Sequence, residues 1–204
     1  MGIPAPPEAR MPLSTAGSEP YDQRILGSWL SETQNNKIFH FHLKARSKPN
    51  MLDGTGIYME LRKSDLGKTN PPAIEGFTAV VHSSQLDGST YYNIKRLSSV
   101  GSDYGAAKDN NGYIIARANL VNDHTLKICL MDHSAIGNAI DNGVLKGVHV
   151  KEDESMNIKL DYYFVDVSPT ELIKFIQESK KSNLFSECLM FKKSRSSARR
   201  PTTK

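Results

Sequence analysis

Histidines at alternate positions are where a search for chemistry begins. His40 and His42, in the run HFH, project to one side of an extended chain, as two metal ligands on one strand would. His82, near the end of another strand-like run, would supply a third ligand. The same alternation sets His40 and His42 opposite Phe39, Phe41 and Leu43, which is the ordinary pattern of a sheet with one wet face. No H-E-x-x-H, C-x-x-C or Cys-His spacing reinforces a metal site, so neither a metal nor a cofactor is expected. Asp161 stands beside Tyr162 and Tyr163, but alternation turns it to water, opposite Leu160 and Tyr162. G-x-S-x-G, the phosphate-cradling G-x-x-x-x-G-K-S/T and G-x-G-x-x-G are all missing. VGSDYG and DNNG, within 100–112, do not sit between a strand and a helix and read as a loop. The expectation is a protein that is not an enzyme.

Two cysteines make no disulfide framework. Cys129 in ICLM and Cys188 in ECLM occupy strand-like apolar runs, where Cys behaves as a small hydrophobe. They read as thiols without a catalytic role, with a disulfide between them as the alternative.

The elements that must position these residues are mostly strands. KIFHFHLKA and GIYMELRK alternate apolar and polar residues, with Ile57, Met59 and Leu61 on the apolar side of the second. GFTAVVH and TYYNIKRL follow, joined through Asp87-Gly88, a hairpin turn signal. YIIARANL aligns Ile114, Ala116, Ala118 and Leu120, and TLKICLM aligns Leu126, Ile128 and Leu130. VLKGVHV, NIKLDYYF and ECLMFKK complete the series. Two helices interrupt it: DHSAIGNAIDNG, with Ser134 read as its cap, and SPTELIKFIQESKK. The latter carries Ser168, Pro169 and Glu171 in the positions of a capping box with proline in the first turn.

At 204 residues the chain is read as an arm over 1–20, holding five prolines, one domain over 21–193 and a tail over 194–204. The net charge of +4 does not signal nucleic-acid binding. Residues 192–204, KKSRSSARRPTTK, hold six Lys and Arg and no acid, leaving 20 basic against 22 acidic residues elsewhere. The basicity belongs to the tail, not to a folded face. No run approaches the ~20 apolar residues of a spanning helix. The N-terminus lacks the apolar core of a signal peptide, so the chain reads as soluble; a chain already freed of its signal reads the same, and the compartment stays open.

Short turns, strands at hairpin spacing and a late helix before the last strand leave a two-sheet sandwich and a meander barrel as contenders. Order and spacing favour the barrel: a mainly β, single antiparallel up-and-down barrel of about eight to nine strands. The late helix packs outside it and the short one lies between strands.

Gly27 and Trp29, in GSWL at the start of the first strand of the domain, resemble the G-x-W of the lipocalins and the wider calycin group. In that group the tryptophan packs across the closed end of the barrel, and a basic side chain late in the last strand lies over the indole. Lys192 or Lys193 would supply that cation here, while the TDY-type loop motif and the usual disulfide pattern are missing. Residues 25–193 are further similar to bacterial lipocalin-like proteins of unknown function, through GTGIYMELRKSD, GYIIARANL, AIDNGVLKG, SPTELIKFIQ and LFSECLMFKK. The resemblance implies a small, mostly apolar ligand inside a barrel, touching Phe39, Phe41, Ile57, Met59, Ile114, Ala116, Ile128, Leu160 and Tyr162. A filled barrel acting as a structural or interaction domain is the alternative, and an enzyme using the cavity stands last. Nothing in the sequence names the ligand or an oligomeric state.

Overall fold

The computed structural model describes residues 6–15, 18–32, 37–45, 57–65, 75–100, 112–151, 161–179 and 183–194. At 32, 37–45, 57–65, 75–78, 96–100, 151 and 161 it describes the backbone. The strands are β1 (Glu8–Ala9), β2 (Gly27–Glu32), β3 (Lys37–Ala45), β4 (Ile57–Asp65), β5 (Glu75–Leu86), β6 (Ser89–Val100), β7 (Tyr113–Asn122), β8 (Thr125–Leu130), β9 (Gly147–Lys151), β10 (Asp161–Val165) and β11 (Glu187–Lys193). Helix α1 (His133–Asp141) lies between β8 and β9, and α2 (Pro169–Glu178) between β10 and β11.

These strands form one mixed sheet in the order β6-β5-β4-β3-β2-β11-β8-β7-β1-β10-β9, and β6 also pairs with β7. The mainly β class with two helices is as expected; the strict up-and-down order is not. Strand β11 enters between β2 and β8, and β1 enters parallel to β10 and antiparallel to β7. The two-residue β1 carries no periodicity of its own, and the partners of β11 are fixed by pairing with strands distant in sequence.

Local chemistry explains the punctuation. Asp87 and Gly88 both have positive φ, 50° and 74°, as a two-residue hairpin between Leu86 and Ser89 requires. At α2 the Glu171 amide donates to Ser168 Oγ, and the Ser168 amide donates to Glu171 Oε2 at 2.9 Å, which completes the capping box. Helix α1 is capped by Asp132 and not by Ser134: the Ala135 amide donates to Asp132 Oδ1 at 2.8 Å. Because the helix begins at His133, Ser134 already lies inside its first turn.

Among the described residues, β6, β7 and β8 bury side chains on both faces. One face carries Trp29, Ala79, Val81, Tyr92, Ile94, Ile114, Ala116 and Leu126; we call it the Trp29 face. The opposite face carries Tyr91, Ile115 and Cys129, and packs against Ile136 of α1 and Leu172 and Ile176 of α2. This helix face accounts for the apolar stripe read in the α2 sequence.

Residues 6–15 of the leader belong to the same packing, a correction to the flexible arm read there; 1–5 and 16–17 lie outside the described residues. Glu8 and Ala9 form β1, and Ala9 and Leu13 join the core of the helix face. Asn93, fully buried, accepts a hydrogen bond from the Leu13 amide at 2.7 Å and donates to Ser84 Oγ at 2.7 Å. Ser14 Oγ bonds to Ser84 Oγ, and the His82 ring contacts the Ser14 carbonyl oxygen at 3.0 Å. A proline-rich composition reads as loose, but one alanine and one leucine over a prepared polar hub suffice to seat it. Residues 195–204, most of the basic tail, lie outside the described residues.

Cys129 and Cys188 form a disulfide, so the reading of two separate thiols is corrected in favour of its alternative. They are direct partners in the β8–β11 ladder although 59 residues apart in sequence. That proximity is a product of strand pairing, and no local spacing announces it.

Candidate ligand site on the Trp29 face

At one end of the Trp29 face the side chains close over one another. Trp29 is fully buried, and its Nε1–H donates to the Ile25 carbonyl at 2.7 Å. Lys193 Nζ lies 5.2 Å from the ring centroid and donates to the Arg24 carbonyl at 2.6 Å. Of the two lysines that the sequence offered, Lys193 is therefore the one over the indole. Alternation along β11 turns Lys192 the other way, where its Nζ donates to Thr125 Oγ1 at 3.0 Å. Gly27 has φ +119°, a conformation other residues rarely adopt, and a Cβ there would stand 3.3 Å from Lys193 Cε. The motif thus works as a unit: glycine admits the lysine, and the lysine covers the tryptophan.

Around this end Asp22 caps a short 3-10 turn, Gln23–Ile25, and pairs with Arg24 at 2.6 Å. Arg24 also reaches Asp123 in the β7–β8 turn at 3.2 Å. The hydrogen bond from Arg24 holds the Asp22 carboxyl below its ordinary range. Both pairs are solvent-screened and add little to stability. Burial pushes the Tyr92 phenol well above its ordinary range, so it stays protonated as a donor.

Register then ranks the face in levels running away from this end. Leu120, Leu126 and Phe191 share one level; Ala118, Ile128 and Leu189 the next; Tyr92, Ala116 and Leu130 the third. The fourth joins Ile94, Ile114, Glu8, Phe164 and Val148 across β6, β7, β1, β10 and β9. Exposure changes along these levels on the β8–β11 side. Leu126 and Phe191 are buried, whereas Ile128, Leu189 and Leu130 are half-buried. On β7 and β5 the face is tight: Ala79 and Ala116 have no exposure at all.

Among the residues expected to line a ligand site, Ile114, Ala116 and Ile128 fall on this face. Tyr162, buried, stands two residues before Phe164 on β10 and so takes the same side. Met59 is in register with Ala79, Ile57 with Val81, and Phe41 with Trp29, while Phe39 is opposite Ser31. The side chains of Phe39, Phe41, Ile57 and Met59, and Leu160 as a whole, lie outside the described residues, as do the side chains of His40, His42 and Asp161. His82 is buried at the leader and not on this face. The sequence missed Glu8, a buried carboxylate whose Oε2 would meet a Cβ at Gly112 at 2.7 Å. Its flanking prolines and alanine gave no signal.

Among the described residues no three His, Cys, Asp or Glu side chains are grouped to hold a metal, and no helix is long and apolar enough to cross a membrane. No protein-family model matches the chain, and no curated protein or solved structure matches it either.

Proposed function

We propose that the chain is a lipocalin-like barrel that holds a small, mostly apolar molecule against its Trp29 face. The barrel reading is supported by the pairings, which can be followed from β2 through β3, β4, β5, β6, β7, β8 and β11 back to β2. It is supported also by the contacts of Lys193 with Trp29 and Gly27, a set of the kind that the resemblance implies at a barrel end. One observation carries the ligand reading: along β8 and β11 the apolar side chains Ile128, Leu189 and Leu130 of this face are half-buried, beyond the buried Leu126 and Phe191. Apolar surface that water reaches on an otherwise buried face is what an apolar ligand would cover. Tyr162 and Glu8, buried farther along, would supply the few polar groups that orient a guest.

A filled interior without ligand is the second reading, favoured by the zero exposure of Ala79 and Ala116. The two readings meet at a boundary between those alanines and Ile128. Titration with an apolar fluorescent probe tests which side holds. The carrier reading expects one-to-one binding of roughly micromolar Kd, about −8 kcal/mol. Ile128→Phe should abolish it with little change in melting temperature, because the new ring occupies ligand space. Ala116→Phe should instead overpack a tight level and cost about 1–3 kcal/mol. Absence of saturable binding, together with Ile128→Phe destabilising as Ala116→Phe does, would establish the filled interior.

A further inference from the structure

The helix face carries a row of residues that the ligand reading does not use. Strand register sets Tyr91 opposite Arg117, Arg117 opposite Cys129, and Cys129 opposite Cys188, across β6, β7, β8 and β11. Directly opposed residues on one face have Cβ atoms roughly 5 Å apart, so the Arg117 and Cys129 side chains leave the sheet as neighbours. Among the described residues no carboxylate pairs with Arg117; its cation lies 5.5 Å from the Phe185 ring centroid. A cleft of about 210 Å³, lined by Tyr91, Arg117, Ser179, Asn183 and Phe185 among others, keeps this cation in contact with water.

The two cysteines differ in exposure. Cys129 is 2 % exposed and belongs to the core, whereas Cys188 is half-buried. The ladder between β8 and β11 runs from Glu187 to Lys192, with the disulfide inside it and strand pairing on both sides. Opening the bond therefore leaves the two strands held by their backbone.

The geometry points to Cys129–Cys188 as a thiol–disulfide exchange site for low-molecular-weight thiols, in which Cys188 is attacked and Cys129 leaves beside Arg117. A thiolate forms a new S–S bond to Cys188 Sγ; the Cys129–Cys188 bond breaks, and its electron pair stays on Cys129 as a thiolate. A second thiolate attacks the small-molecule sulfur of the mixed disulfide, which releases the oxidised small disulfide and the Cys188 thiolate. Two electrons pass from two thiols to the protein, and the protons lost when the thiols ionise go to water. A neighbouring cation lowers the pKa of the leaving thiol, and a thiol of lower pKa leaves faster.

The test uses the oxidised, native full chain incubated with reduced glutathione, quenched with acid, alkylated and mapped by mass spectrometry. The expected result is a glutathione adduct on Cys188 alone, formed without denaturant and with near-ultraviolet circular dichroism retained. Arg117→Gln should slow the adduct's formation roughly tenfold. In the reduced protein it should raise the lower thiol titration, followed by thiolate absorbance, by about one pH unit or more. Arg117→Lys, which keeps the charge, should restore most of both. Exchange only in denaturant, an adduct on Cys129, or identical rates and titrations in wild type and Arg117→Gln would each overturn the proposal.

Discussion

Removing Trp29 measures how much its buried cluster contributes, and the contributions separate. The indole is fully buried, so Trp29→Ala loses a large core aromatic, a change that costs about 3–5 kcal/mol. Within that total, the Nε1–H bond to the Ile25 carbonyl accounts for about 1 kcal/mol and the Lys193 contact for ~0.5–1 kcal/mol. Trp29→Phe keeps most of the apolar area but removes the donor, and should cost ~1–2 kcal/mol from those same terms. Lys193→Met removes the cation and, with it, the bond to the Arg24 carbonyl. A double-mutant cycle between Trp29→Phe and Lys193→Met should give a coupling of about 0.5 kcal/mol, since phenylalanine keeps part of the cation's attraction.

The assay is urea unfolding at constant slope, followed by far-ultraviolet circular dichroism with the disulfide kept oxidised. Fluorescence supplies an independent check, because Trp29 is the only tryptophan in the chain. Its emission should be that of a buried indole and should move to that of the free amino acid on unfolding. A native emission already equal to that of free tryptophan, or Trp29→Ala within ~0.5 kcal/mol of wild type, would refute the buried cluster around Trp29.

Gly137 lies inside α1, where alanine ordinarily gains about 1 kcal/mol over glycine. A Cβ there would stand 2.6 Å from the Tyr163 ring, so Gly137→Ala should lower the melting temperature instead of raising it. Asn93→Ala strips the leader of its buried hub and should cost about 1–3 kcal/mol in thermal or urea unfolding, with the segment before Leu13 becoming susceptible to proteolysis. Asp132 titrates below its ordinary range through the Ser186 hydroxyl and the α1 amides. A carboxylate with a depressed native pKa stabilises above its unfolded value, near 3.8, and that stability disappears as pH falls through the lower native one. Asp132→Asn should therefore flatten the loss of stability between about pH 4 and the native midpoint, as read by urea unfolding at stepped pH.

What was legible in the sequence follows the range of the interactions. Alternation in YIIARANL and TLKICLM gave β7 and β8, because side-chain period is a local property. Asp87-Gly88 and the Ser168–Glu171 box announced a turn and a helix start for the same reason. The buried helix face was less visible: alternation aligned Ile114 with Ala116 and Leu126 with Ile128, and nothing local marked Ile115, between them, as a core residue under α1 and α2. The leader was unreadable, since β1 is two residues long and its seat, Asn93, lies 80 positions from Leu13. Glu8 and the disulfide share that cause. Each acquires its neighbours only when strands distant in sequence come into register.

That register also keeps the two proposals apart. Ile128 and Cys129 are consecutive on β8, and Leu189 and Cys188 are consecutive on β11. Successive residues of a strand face opposite sides, so one residue of each pair belongs to the Trp29 face and the other to the helix face. Ile128→Phe should block the apolar probe and leave glutathione exchange at Cys188 unchanged. Arg117→Gln should slow exchange and leave probe affinity unchanged. The double variant tests the partition most stringently, because these side chains sit on opposite faces of the same ladder. Independent sites add within ~0.5 kcal/mol, so each readout in the double variant should match the relevant single variant. A larger deviation would mean that the β8–β11 ladder shifts as a body when either face is altered, and that the oxidation state of Cys129 and Cys188 is felt by whatever lies against Ile128 and Leu189.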